Sequence, residues 1–275
     1  MQLEALFKQP QALPAVPKIV HELIDSFNSD DISIDEIARK LAADPVLSAR
    51  LLRLANSAYY HVSRSIGTVN EALAMLGFVT VRTLVISSGL TGGYKSMPGM
   101  DLKRFWRYSL HTAAVGGWLA RKANVNSDQA FTVCLMHSIG ELVMHAGMPE
   151  QMLQLDKIAS PMDPRRMDME RTSFGYTYAD VGAELARLWR FPTAFADAIQ
   201  HFPEPLAHAP FDPVAALVHV SAWRARSEHN ELSPEELAAT VPTAVLERMG
   251  LKADLMLTEM PPLAELAEGL DCLIS

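Results

Sequence analysis

The chain has 275 residues, of which 49% are hydrophobic and 20% charged, a composition that supports one large or two smaller soluble domains. The net charge of −8 is uneven: positions 1–100 hold nine basic and nine acidic residues, positions 101–275 hold 15 basic and 23 acidic residues. Neither part has the basic excess of a duplex-binding surface, so we expect no nucleic-acid partner.

Targeting and redox features indicate a cytoplasmic protein. The first residues include Glu4 and lack an apolar block before a small-residue cleavage site, which argues against a secretory signal. No apolar run is expected to reach the roughly 18 residues of a membrane span, so we expect no membrane partner. Cys134 and Cys272 are the only cysteines, which excludes a disulfide framework.

Helical periodicity dominates the chain, and we predict an all-α protein. Ser33 and Glu36 have the spacing of a capping box, and Asp44-Pro45 has the pattern of an N-cap followed by a first helical residue. Gly77 is expected to interrupt the helix that begins near residue 69. The glycine- and proline-rich segment 91–100 is the strongest internal boundary.

Two early helices, Ile34–Ala43 and Pro45–Asn56, have the lengths of a helix-turn-helix. The second helix would read DNA, yet it offers Arg50 and Arg53 among many leucine, valine and alanine residues. We therefore favour two packed core helices joined by a proline turn.

The most informative segment is Phe131–Gly147, an apolar run that we predict to be one continuous helix. His137, Glu141 and His145 recur in it at every fourth position and would form a single polar seam. An isolated imidazole on an apolar helix face is more often a satisfied core group than a ligand. Further long helices are predicted at 170–189 and 253–270.

Several motifs occur in the order typical of one family. They are LPAVP at 13–17, DPVLSARLLRLANSAYY at 44–60, TVNEALAMLGFVTVRTLVIS at 68–87, FWRYSL at 105–110, CLMHSIGEL at 134–142, FGYTYADVGAELARLWRFP at 174–192 and AIQHFPEP at 198–205. With these motifs the sequence resembles the HDOD family, the HD-related output domains of bacterial signalling proteins. The resemblance implies an HD-domain-like multi-helix bundle with an N-terminal helical subdomain at 1–100, an HD-like subdomain at 101–213, and C-terminal helices at 214–275 that pack on the HD-like part.

The resemblance also identifies a degenerate metal site. HD phosphohydrolases bind divalent metal through a His, a His-Asp pair and a distant Asp, because these ligands hold the ion that activates water. The corresponding positions and their neighbours here are Tyr108, His137, Ser138, Tyr178, His201 and Ala222. One metal ligand of the four remains, so we expect no catalytic residues, no bound metal and no cofactor.

A rearranged metal site is the alternative. His111 lies one turn after Tyr108, and together with His137, Glu141 and His219 it would supply a ligand set for Zn, Mn or Fe. Such a site would support a metal-dependent phosphohydrolase that acts on a nucleotide or a cyclic dinucleotide.

A candidate binding patch is formed by Asn56, Ser57, Tyr59 and Tyr60, because aromatic residues at a helix end can contact a partner. The alternative is helix termination with Asn56 as the C-cap and the tyrosines packed on the next domain. We expect a non-catalytic bacterial regulatory module whose signalling partner acts in trans, or which binds a small nucleotide-like ligand. The tail beyond Pro213, especially Ala253–Ser275, would cap a cleft between the two helical subdomains or mediate assembly.

Overall fold

A computed structural model describes residues 2–9, 11–13, 18, 20, 22–23, 34–60, 62–94 and 96–274. No strand occurs in these ranges, and the predicted all-α class is confirmed. The α-helices are α1 (Leu3–Leu6), α2 (Ile34–Ala42), α3 (Pro45–Ala55), α4 (Val69–Gly93), α5 (Leu102–Lys122), α6 (Ser127–Met136), α7 (Ile139–Gly147), α8 (Pro149–Asp156), α9 (Arg166–Phe174), α10 (Tyr178–Leu188), α11 (Thr193–His201), α12 (Pro213–His229), α13 (Pro234–Thr240), α14 (Thr243–Arg248) and α15 (Leu263–Leu266).

The chain divides into two compact units. The larger comprises Met1–Leu13 and Ser96–Leu263, and the smaller comprises Pro14–Lys95 and Ala264–Ser275. The boundary between Lys95 and Ser96 falls within the predicted segment 91–100. Residues 1–13 belong to the larger unit and residues 264–275 to the smaller one, unlike in the predicted three-part division. The short 3₁₀ turn at Asp271–Leu273 packs on α3 and α4, which places the tail in the smaller unit.

In the smaller unit, helix starts follow from local chemistry. Asp44 Oδ1 accepts hydrogen bonds from the amides of Val46 and Leu47 at 2.8 and 3.0 Å, so α3 begins with the predicted N-cap. Gly77 has φ 75° and ψ 164° and interrupts α4 at the predicted residue. The predicted capping residue Ser33 and the segment 14–17 lie outside the described residues.

Helix α4 contradicts the expectation that no apolar run is long enough to span a membrane. It is long and apolar enough to cross a membrane by length and composition alone, with a mean hydropathy of 1.7 over an 18-residue window. Buried residues make up 65% of that window, which also describes the core helix of a globular protein.

The larger unit is built around α5, which packs against α6 and α12. Its side chains are buried along most of its length, including Phe105, Trp106, Leu110 and Val115. Each such side chain contributes about 1.5–3 kcal/mol relative to exposure, so this apolar packing holds the unit together. Asp101 Oδ1 accepts from the Arg104 amide at 3.0 Å and caps the helix start.

The predicted continuous helix at 131–147 is wrong. The chain turns between α6 and α7, where Ser138 has φ −101° and ψ 7°. His137 Nδ1 donates to the carbonyl oxygen of Cys134, to which the Ser138 amide would donate in an uninterrupted helix. His137 is therefore separated from Glu141 and His145, which belong to α7.

Two other long helices are also divided. The predicted helix at 170–189 is broken because Gly175 adopts a left-handed φ of 84° and Thr177 begins α10 with a capping box to Asp180. The predicted helix at 253–270 is broken by Pro261-Pro262, which separates a π turn at Leu255–Glu259 from α15.

Candidate functional site

His137 is fully buried in the larger unit, and both of its ring nitrogens are engaged. Nδ1 lies 2.6 Å from the carbonyl oxygen of Cys134, and Nε2 lies 3.1 Å from the hydroxyl of Tyr108. A carbonyl only accepts, so Nδ1 carries the proton. Burial lowers the pKa of His137 to about 4, so the ring is neutral and Tyr108 donates to Nε2. The lone pair that would bind a metal is thereby occupied.

Aromatic and hydroxyl side chains surround this imidazole. The rings of Tyr108 and Phe202 meet the His137 ring edge-on, with centroids 5.2 and 5.4 Å away, and Phe202 also contacts Tyr178. Ser138 Oγ pairs with Ser109 Oγ at 3.1 Å and shares no polar atom with the imidazole. Uncharged groups therefore occupy the positions that the resemblance assigns to metal ligands.

The remaining degenerate positions bring no ligand to His137. Ala222 is buried in α12 and has no polar side chain. The ring of His201 stacks on that of His208, with centroids 3.9 Å apart, at the end of α11.

The rearranged ligand set is not assembled. His111 Nδ1 lies 3.2 Å from His229 Nε2, His219 Nδ1 donates to the carbonyl oxygen of Phe202, and Glu141 pairs with Arg166. Within the part of the chain that the structure describes, no three His, Cys, Asp or Glu side chains form a metal-binding group. The structure therefore gives each candidate ligand a different partner.

The buried imidazole predicts acid sensitivity. The unfolded chain binds a proton at His137 below about pH 6.5, whereas the folded protein does so only near pH 4, so the free energy of unfolding falls as the pH falls through this window. The expected loss is up to about 3 kcal/mol. Chemical denaturation at pH values from 4 to 7 measures the slope, which should be shallower in His137→Asn. Equal slopes in the two proteins would contradict the neutral, buried histidine.

A buried ionic network next to this site was not predicted. Arg166, only 1% exposed, donates to Glu141 Oε2 at 3.2 Å, to Asp156 Oδ1 at 2.6 Å and to Glu170 Oε1 at 2.8 Å. His145 lies between the Glu141 carbonyl oxygen at 2.8 Å and Asp156 Oδ2 at 3.0 Å. We call these five residues the Arg166 network.

Hydrogen bonds and burial shift the pKa values of the carboxyl groups in the Arg166 network. Asp156 is hydrogen bonded to His145 and Arg166, and these groups lower its pKa although burial opposes its charge. Both ring nitrogens of His145 face oxygen atoms of the network. Burial, and next the charge of Glu170, raise the pKa of Glu141 well above its usual range.

The Asn56 patch in the smaller unit is partly structural. Asn56 Nδ2 donates to the carbonyl oxygens of Leu52 and Ile66, and its Oδ1 accepts from the Ile66 amide, all at 2.8 Å. Ser57 is buried, while Tyr59 and Tyr60 are half-buried and meet edge-on at 5.0 Å. Asn56 therefore ties the helix end to the following loop although it is the most exposed of the four, and the two tyrosines are partly accessible.

Fold and site together define a helical protein with a buried histidine whose two ring nitrogens are both engaged. A family model for the HDOD domain matches residues 13–205, and the chain belongs to that family. The predicted family is thereby confirmed.

Solved structures support the same fold. A proposed phosphohydrolase from Shewanella amazonensis SB2B has 29% identity and a TM-score of 0.76, covering 98% of both chains. An HDOD domain protein with unknown function from Geobacter sulfurreducens has 23% identity and a TM-score of 0.69, covering 93% of this chain and 91% of its own.

A sequence relative is also similar to much of the chain. An uncharacterized protein of Treponema pallidum (strain Nichols) is 25% identical over 234 residues, and this chain spans only 44% of its length.

Proposed function

We propose that this protein is a non-catalytic regulatory module of bacterial signalling, located in the cytoplasm, that acts by binding a partner protein or a small nucleotide-like ligand. The observation that carries the proposal is the hydrogen bond from Tyr108 to His137 Nε2. A metal would need this lone pair, and the tyrosine occupies it at the position where the resemblance implies another histidine ligand.

The Arg166 network supports the same conclusion. Glu141 is the carboxylate closest in sequence to His137, and its Oε2 already pairs with the guanidinium of Arg166. A divalent ion bound there would face a fixed positive charge at short range, which is unfavourable in a buried site. Membership of the HDOD family indicates a regulatory or HD-related role. The contacts of His137 with Tyr108 and of Glu141 with Arg166 favour the regulatory role.

The second candidate is a metal-dependent phosphohydrolase with a rearranged site. The specific observation in its favour is the similarity over 98% of both chains to the proposed phosphohydrolase from Shewanella amazonensis SB2B. Catalysis would require Tyr108 to leave His137 Nε2, and further ligands would have to move from their present partners.

Metal content and activity distinguish the two candidates. Purified protein is analysed for bound metal and then assayed for phosphatase and phosphodiesterase activity with added Mn²⁺, Mg²⁺ or Fe²⁺. We expect substoichiometric metal and the same background rate in the wild type and in His137→Ala. Stoichiometric metal, together with activity that His137→Ala abolishes, would establish the phosphohydrolase instead.

Removal of the Tyr108 hydroxyl tests its hydrogen bond to His137. Tyr108→Phe leaves the buried Nε2 of His137 without a donor, and we expect the free energy of unfolding to fall by about 1–3 kcal/mol. Tyr176→Phe is the matched control, because the hydroxyl of this buried residue donates to the Met148 sulfur at 3.7 Å, a weak hydrogen bond whose loss should cost under about 0.5 kcal/mol. Denaturant titrations compare the two, and equal losses would show that the Tyr108 hydroxyl has no special role.

Tyr59 and Tyr60 are the proposed partner surface of the smaller unit. Replacing both with serine should weaken binding to a signalling partner at least tenfold, because aromatic anchors contribute most of the affinity in many interfaces. Titration calorimetry with a candidate partner measures the change, and circular dichroism checks the fold. Unchanged affinity would place the partner surface elsewhere.

A further inference from the structure

A cavity of about 210 Å³ lies beside the Arg166 network in the larger unit. Its lining includes the polar residues Tyr108, Ser138 and Glu141 and the apolar residues Phe105 and Met162. An engineered apolar cavity of about 150 Å³ accepts benzene, so this space admits one ring with a small polar substituent.

Glu141 has unused hydrogen-bonding capacity at this cavity. Its Oε2 accepts from Arg166, whereas its Oε1 is buried and has no hydrogen-bond partner in the described structure. A carboxyl oxygen has two lone pairs, so Oε1 can accept a hydrogen bond from a ligand. A buried acceptor without a donor costs about 1–3 kcal/mol, and a ligand that donates to it recovers that free energy.

The charges around the cavity favour a donor or cation over an anion. Asp101 and Glu141 line it, and Arg104 is the basic residue in its lining. Arg104 is already anchored, since its Nη2 donates to the carbonyl oxygen of His229 at 3.0 Å. Arg166 is saturated by the carboxylates of its own network. An incoming anion would therefore face the acceptors of Asp101 and Glu141 and could use only the remaining N–H donors of Arg104.

We propose that this cavity binds a small planar ligand whose amidine-type N–H group donates to Glu141 Oε1. Its ring packs against Phe105 and Met162, two apolar residues of the lining. The chemical class is an amino-substituted aromatic or heteroaromatic ring. The inference rests on the proposed function only in treating the site as one that binds rather than hydrolyses.

Three probes with one ring and different head groups test the inference on the full chain. Benzamidine carries a cationic N–H donor, benzamide a neutral one, and benzoate only acceptors. Calorimetry or ligand-observed NMR should give benzamidine at least about tenfold higher affinity than benzoate, with benzamide between them. Equal binding of all three, preference for benzoate, or no binding of benzamidine at millimolar concentration would overturn the proposal.

Variants locate the binding to Glu141. Glu141→Gln should weaken benzamidine at least about tenfold, because the bound amidinium favours the ionised carboxylate of Glu141 and glutamine cannot ionise. Glu170→Gln is the matched control: it alters the same Arg166 network but does not line the cavity, so binding should persist. If Glu141→Gln does not fold, Met162→Trp fills the cavity from its wall and should abolish binding. Retained affinity in either folded variant would contradict the assignment.

The result is separable from that of the proposed function. Absent benzamidine binding, with no metal and no activity, removes only the cavity inference. Phosphohydrolase activity that depends on His137 removes the proposed function, whatever benzamidine does.

Discussion

Replacement of Arg166 by methionine is expected to lower the free energy of unfolding by about 3–5 kcal/mol, because it leaves buried carboxylates without their cation. The guanidinium bonds to three carboxyl groups from α7, α8 and α9, and its side chain is 1% exposed. Methionine fills a similar volume, so the loss reports charge and hydrogen bonding rather than a cavity. Glu141, Asp156 and Glu170 would then repel one another in a site with little water.

The neighbouring Arg165 provides a matched control. It also pairs with a carboxylate, Asp163 at 2.6 Å, but its side chain is 68% exposed, so the same substitution should cost no more than about 1 kcal/mol. Guanidinium chloride titrations followed by circular dichroism give both values. Adding Glu170→Gln to Arg166→Met should restore part of the lost stability. Similar losses of unfolding free energy in Arg165→Met and Arg166→Met would mean that burial does not increase the contribution of the network to stability.

The contrast between these two arginines explains what sequence reasoning missed. Arg165 and Arg166 are adjacent in a polar segment and look alike, and only the i,i+4 spacing of Arg166 and Glu170 hinted at a pair. The other partners, Glu141 and Asp156, come from different helices. Which arginine is buried depends on how three helices meet, and that information is not local.

Local signals did predict much of the fold. The N-cap at Asp44 and the interruption at Gly77 follow from the chemistry of single residues, and both occur where expected. The break at His137-Ser138 was missed because the apolar pattern continues through it without a proline or a turn-forming glycine. A side chain that takes over a backbone carbonyl leaves little trace in a hydrophobicity pattern.

The candidate site was predictable in its members but not in its chemistry. The resemblance identified Tyr108, His137 and Ser138 as equivalent positions, and the structure places Tyr108 against His137. Sequence reasoning treated Tyr108 as a missing ligand. In three dimensions its hydroxyl donates to Nε2 of His137, the imidazole that remains. A tyrosine at this position therefore removes a ligand and also adds a hydrogen bond.

The second large effect is expected at Gly140, where α7 and α10 approach closely. A Cβ added at Gly140 would overlap the carbonyl oxygen of Tyr178 and lie 2.8 Å from the amide nitrogen of Gly182. Both are backbone atoms, which cannot move without displacing a helix. Gly140→Ala should therefore lower the free energy of unfolding by about 3 kcal/mol or more, against a gain of about 1 kcal/mol in helix propensity.

Gly182→Ala tests the same helix contact from the other side and should be much milder. Its added Cβ would first meet the Ile199 side chain at 3.2 Å, and the nearest backbone atom, the Gly140 nitrogen, is 3.5 Å away. A methyl group of isoleucine can shift by a few tenths of an ångström, so we expect a change within about 1 kcal/mol. Thermal and denaturant unfolding of both variants measure the asymmetry. Because Gly140 packs against the first turn of α10, a large loss only in Gly140→Ala would show that this backbone contact stabilises the packing of α7 on α10, whereas equal losses would contradict it.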